Sequence, residues 1–109
     1  MAGALNVLKG VLIDSVLSKV VEVTVPKGLE AIYKAIKCRN FACPMTWKGG
    51  DTLYVDDEGA INGTRVGFRL GDIDYFGSGL ILGSDKEGES ADVLRTPLDF
   101  KVTFLPKRR

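Results

Sequence analysis

The alternation of apolar and polar positions is clearest at 19–25, KVVEVTV, where Val21, Val23 and Val25 alternate with Glu22 and Thr24. A two-residue period predicts a half-buried strand. Residues 5–13, LNVLKGVLI, read as another strand. The intervening DSVLS has the length of a hairpin loop, so the two strands are expected to pair antiparallel. From Pro26 the period becomes helical. Leu29, Ile32, Tyr33 and Ile36 recur at i, i+3, i+4 and i+7, while Lys27, Glu30, Lys34 and Lys37 take the other faces. That spacing predicts a helix over about residues 28–37, with Pro26 suited to its start because the missing N–H does no harm there.

Beyond the helix, RNFACPMTW at 39–47 places Phe41, Cys43, Met45 and Trp47 on one face by alternation. Pro44 cannot donate to a ladder, so this is an edge strand or one with a bulge. GGD at 49–51 is a turn, Thr52–Val55 returns as the partner strand, and DDEG makes the next turn. In 61–73 the alternation of Val66, Phe68 and Leu70 is interrupted by Gly63, Gly67 and Gly71, which leaves loop and broken strand both open. Residues 75–83, YFGSGLILG, read as one apolar strand whose glycines imply close approach by a neighbouring backbone. SDKEGES is an exposed loop, LDFKVTFL at 98–105 alternates as a final strand, and residues 106–109 form a basic tail. The expected fold class is α+β: a single domain over 1–109, with a mostly antiparallel sheet of about five to six strands and one main helix packed on one face.

Composition narrows the chemistry. The chain has 109 residues, 45% hydrophobic and 27% charged, with a formal net charge of +1. A near-neutral total lacks the basic footprint of a duplex-binding protein. No apolar run approaches the roughly 20 residues of a membrane helix, and the N-terminus lacks a basic region before its apolar run, so a cytoplasmic location is expected. There is no histidine. That excludes Ser-His-Asp and Cys-His nucleophiles and His-ligated zinc, and two cysteines alone cannot hold a zinc ion. No cofactor and no catalytic residue is expected.

The acidic run Asp56, Asp57, Glu58 fails the spacing of a calcium loop, since Ala60 and Ile61 fall where a ligand and the glycine should be. Asp-Asp-Glu-Gly after a strand writes a turn. A metal-dependent nuclease built on these three acids is the least favoured reading. The glycines of GSGLILG lie inside a strand and not before a helix, so they do not make a phosphate loop. Cys38 and Cys43 do not form a redox pair, and Cys43 is expected to be buried beside Phe41 and Met45. Trp47 could join Tyr54 across the GGD turn as an aromatic patch, although core is the commoner role for such residues. Asn62, Arg65, Arg69 and Tyr75 combine amide, guanidinium and phenol groups suited to an anionic ligand or a protein contact.

Several stretches occur here in a familiar order: a strand ending in Val25-Pro26, GLEAIYKAIKC, LYVDDEG, a downstream asparagine and GLILGSDKEGES. Over about residues 5–90 the chain resembles a family of small domains of unknown function common in bacteriophage, plasmid and related bacterial genomes. Members follow the acidic turn with a Pro-Asn segment and a short Ala-Thr helix, whereas INGTRVGF here offers Asn62 without proline. LRTPLDFKVTF looks like an extension past the family's usual end. The resemblance implies a small accessory protein of a phage or mobile element in the cytoplasm of a bacterial host, and it supplies no catalytic residues. The expected function is therefore non-enzymatic binding and inhibition of a host or phage protein, such as an anti-phage defence component. The second reading is a binder of a nucleotide-like signal, in a pocket that a homodimer could complete.

Overall fold

A computed structural model of the chain describes residues 7–59 and 64–106. The N-terminal pair is the expected antiparallel hairpin: β1 (Val7–Asp14) and β2 (Lys19–Pro26) pair without a register break from Val7–Pro26 to Asp14–Lys19. Asp14 Oδ1 accepts the N–H groups of Val16 and Leu17 at 3.0 Å each, which closes the turn in the way an aspartate at a turn start does. Helix α1 (Leu29–Ile36) follows. Pro26 belongs to the end of β2, and the turn into the helix is made at Gly28, whose φ of 128° suits only glycine. Ile32 and Ile36 are buried, but Leu29 is 61% exposed and leaves the predicted stripe.

The remaining strands among the described residues are β3 (Phe41–Thr46), β4 (Thr52–Asp56), β5 (Gly67–Leu70), β6 (Ile73–Phe76), β7 (Gly79–Ser84), β8 (Ser90–Ala91) and β9 (Val102–Phe104). They form two sheets instead of the one expected. Six strands join in the order β2-β1-β7-β4-β3, with β8 added to β7; three more join as β6-β5-β9. Every pairing is antiparallel. The described residues are thus mostly antiparallel sheet with one short α-helix.

The predicted strand at 75–83 is two strands in different sheets. Gly77 takes a φ of 96° and breaks it, so that β6 ends in the small sheet and β7 begins in the large one. Ser15 pins this crossing: its hydroxyl donates to the Gly77 carbonyl at 2.7 Å, and its N–H donates to Ser78 Oγ at 3.1 Å. Close backbone approach occurs at Gly83, where a Cβ would run into the Asp92 carbonyl. The predicted strand at 98–105 shrinks to β9. Ahead of it Pro97–Asp99 forms a 3₁₀ turn, held by Asp99 Oδ2 accepting the Thr96 N–H at 2.7 Å, and Leu98 is 95% exposed.

Alternation along β1, β4 and β7 divides the core in two. Val11, Ile13, Leu53, Val55 and Ile81 cluster with Phe68, Leu70 and Tyr75 of the small sheet and with Val93 and Phe100. Leu8, Val25, Leu80 and Leu82 cluster with Ile32 and Ile36. Both sides of β7 are consumed, as its continuous apolar run GLILG requires.

The β3–β4 pairing carries the bulge that Pro44 suggested. Phe41–Asp56 and Ala42–Val55 are in one register, Met45–Leu53 and Thr46–Thr52 in another. Cys43 and Pro44 therefore both oppose Tyr54, and the extra residue inverts the alternation. Phe41 lies with Tyr54 on the helix side, while Met45 and Trp47 join the other core. Cys43 is exposed, against expectation: it sits at the bulge of an edge strand and joins neither core cluster.

Candidate functional site

The acidic run is a turn. Asp56 Oδ1 accepts the Glu58 N–H at 2.9 Å, the Gly59 N–H bonds back to the Asp56 carbonyl at 3.2 Å, and from the side Asn40 Nδ2 donates to Glu58 Oε1 at 3.4 Å while its carbonyl accepts the Asp57 N–H at 3.0 Å. Asp85 does the same in DKEG, accepting the N–H groups of Glu87 and Glu89 at 2.9 Å. Among the described residues no three His, Cys, Asp or Glu side chains are grouped so as to hold a metal ion.

The sequence-derived binding residues do not gather at one place. Asn62 lies outside the described residues. Arg65 is exposed on the segment leading into β5. Arg69 faces its cross-strand neighbour Asp74 in a two-pronged ion pair of 2.6 and 3.3 Å. That hydrogen bond holds the Asp74 carboxyl below its ordinary range and raises the Arg69 guanidinium. Tyr75 is buried against Phe68, and its hydroxyl is a buried polar atom with no hydrogen-bond partner among the described residues. Burial pushes its phenol above the usual range. Trp47 packs edge-on to Phe100, with ring centroids 5.0 Å apart, and shares no face with Tyr54. Tyr75 and Asp74 line a shallow hollow of about 240 Å³ with Asp56 and Asp57.

A larger cleft, of about 400 Å³, opens where the start of α1 meets β3 and β4. Its wall is aromatic: Phe41 sits between Tyr33 and Tyr54 with centroid separations of 5.2 Å on both sides. Leu29 stands exposed at the rim, and Lys27 and Glu89 form an exposed ion pair of 3.7 Å beside it. The cleft also receives Cys43 from the bulge, with its thiol raised above the ordinary range by partial burial. Gly28 contributes a helix start without a side-chain cap. Alternation alone assigned Phe41 and Cys43 to the same apolar face as Trp47, which hid this cleft. The signal that could have found it is Pro44, because a bulge there reverses the facing of every residue before it.

One further polar residue escaped the sequence reading. Asp51 is fully buried. Its Oδ1 accepts the Leu94 N–H at 2.9 Å, and its Oδ2 accepts the Arg95 N–H at 3.1 Å and Arg95 Nη1 at 3.0 Å. It ties the 92–96 segment to the β3–β4 turn, a positioning role with no access to solvent.

Among the described residues no helix is long and apolar enough to cross a membrane. No curated protein and no solved structure matches the chain. Residues 8–99 match the model of a family described as a domain of unknown function, DUF3846, so the match extends beyond Ser90 and takes in the 3₁₀ turn that looked like an extension. The chain belongs to the DUF3846 family.

Proposed function

We propose that this chain is a non-enzymatic binding protein that engages a macromolecular partner through the cleft between α1 and the β3–β4 pair. The observation that carries the reading is an aromatic wall, Phe41 and Tyr54, with an exposed leucine, Leu29, at its rim. A desolvatable apolar hollow with aromatic anchors and a charged rim is the composition of an interface hot spot. In its most concrete form the protein is encoded by a phage or mobile element, works in the bacterial cytoplasm and occludes a component of an anti-phage defence. Two features support a non-enzymatic role: the chain has no histidine, and the Asp56 side chain is engaged in its own turn.

The test compares wild type with Leu29→Asp and Tyr54→Ala as baits in host lysate. Leu29 opens the helix, where an added carboxylate is tolerated and even favourable, so the fold is preserved. A stoichiometric partner held by wild type and lost with Leu29→Asp supports the reading. Equal recovery by all three, or no stoichiometric partner, refutes it.

A second reading places a nucleotide-like ligand in the same cleft. Lys27, held at 3.7 Å from Glu89, and the uncapped start of α1 line it together with the aromatic wall, groups suited to a phosphate and a base. A ligand at a hundred times its dissociation constant stabilises by about 2.7 kcal/mol, readable by thermal denaturation against a nucleotide panel. No shift with any member rules it out.

A further inference from the structure

Among the described residues the six-stranded sheet has two free edges, and they are not alike. One edge, β3, is interrupted by the bulge and by Pro44, the devices that discourage strand addition. The other, β2, is eight residues long, pairs with β1 without a break and carries four valines.

Which of its backbone groups point outward follows from β1. Lys9, opposite Thr24, donates its N–H to Asp92 Oδ1 and accepts the Val93 N–H, both at 2.8 Å. Its groups are thus turned away from β2, which makes Lys9–Thr24 a non-hydrogen-bonded pair. Alternation then assigns the bonded pairs to Leu8–Val25, Gly10–Val23 and Leu12–Val21. The N–H and C=O groups of Val20, Glu22 and Thr24 face the free edge, and no other backbone bond among the described residues uses them.

An antiparallel strand that pairs with its own copy must place residues of equal orientation opposite each other. The two-fold axis therefore passes through a residue. Centring on Glu22 sets two carboxylates face to face, which is unfavourable. Centring on Val21 leaves a short overlap. Centring on Val23 sets Val21 opposite Val25, Glu22 opposite Thr24 and Val20 opposite Pro26, with about six backbone hydrogen bonds by ladder alternation. The flanks add apolar surface bordered by charge. A groove of about 380 Å³ between β2 and α1 is lined by Val25, Ala31 and Ala35 together with Lys27, Glu30 and Lys34 on one side of the sheet. On the β2 flank the 3₁₀ turn holds Leu98 at 95% exposure.

We propose that two copies of this chain join their β2 edges antiparallel about a two-fold axis at Val23, continuing the large sheet from one subunit into the other. The interface is isologous, so each cross-strand contact occurs twice. It does not depend on the occupant of the cleft, and its test uses no partner.

Sedimentation velocity of the full chain over a concentration series decides it. Wild type should reach the mass of a dimer. Thr24 is exposed, so substitutions there leave the monomer fold unchanged. Thr24→Lys would place two lysines opposite two Glu22 side chains and lower the dimer dissociation constant by about 2- to 30-fold, and Thr24→Glu would raise it by a similar factor. A folding defect cannot produce the tightening. A monomer at every concentration overturns the proposal, and so do two variants that both match wild type, since any other register separates residue 24 from Glu22.

Discussion

Removing the Asp51 carboxylate should destabilise this protein more than any other single polar change away from its surface. Asp51→Ala deletes the acceptor for three N–H donors, two from the backbone at Leu94 and Arg95 and one from the Arg95 guanidinium. A hydrogen bond to a charged group contributes roughly 1.5–3 kcal/mol, and breaking a buried ion pair from one side costs roughly 3–5 kcal/mol. The Arg95 side chain is 28% exposed and keeps its bond to the Lys48 carbonyl at 3.0 Å, so part of the loss is recovered through water. The expected cost is about 3–4 kcal/mol, against a total stability of about 5–15 kcal/mol for such a domain. In urea that lowers the unfolding midpoint by about 2 M. Arg95→Met removes only one of the three donors and should cost about 1–2 kcal/mol, because the carboxylate keeps both backbone N–H groups. A plain ion-pair view predicts equal costs for the two partners. Equal midpoints for Asp51→Ala and Arg95→Met, or a loss under about 1 kcal/mol for Asp51→Ala, would refute the view of Asp51 as a backbone tie.

Tyr75→Phe should raise stability by about 1 kcal/mol, since it removes a buried hydroxyl that has no partner among the described residues. The folded phenol titrates above its ordinary value, so the neutral form is the one the fold favours. Stability from this group is intact below the unfolded phenol's range and is lost as pH rises from there through the folded value, and that alkaline decline should diminish in Tyr75→Phe when urea midpoints are compared across pH. Gly83→Ala should cost more than Gly79→Ala: the first meets the Asp92 backbone, whereas the second meets the tip of Phe68 at 2.8 Å, which can shift. The reverse order in thermal unfolding would contradict that account. Cys43, though exposed, should alkylate more slowly than a free thiol at neutral pH, with a rate that keeps rising beyond the point where a free thiol levels off. A rate equal to that of a small free thiol at neutral pH would show that the cleft does not desolvate it.

Local pattern carried the elements whose partners are near in the chain. The β1–β2 hairpin and α1 could be read because both strands of the hairpin, and both ends of the helix face, sit within one short window. The errors share a cause. YFGSGLILG reads as one apolar strand because Tyr75 and Phe76, which end the half-exposed β6, run straight into the buried apolar β7, and only tertiary pairing sends the two to different sheets at Gly77. Leu98 fits the alternation of Phe100, Val102 and Phe104, yet Pro97 and the Thr96–Asp99 bond commit it to a turn. The two-sheet arrangement could not be counted from strands whose ladder partners lie tens of residues away, as in the pairing of β5 with β9.

The predicted binding residues that the structure describes stand apart for a related reason. Guanidinium, phenol and indole groups advertise chemistry in a sequence whatever their surroundings, but here three of them answer a local demand. Arg69 has a carboxylate directly across the ladder, Tyr75 has Phe68, and Trp47 has Phe100. The cleft instead recruits residues that look unremarkable in the chain: an aliphatic at a helix start, a phenylalanine and a cysteine beside a proline. What brings them together is one inserted residue at Cys43–Pro44, which carries Phe41 onto the face of Tyr54 and leaves the β3 edge closed to strand addition. The same bulge therefore shapes the cleft and leaves β2 as the unbroken edge. Deleting one residue there should flatten the edge and empty the cleft together.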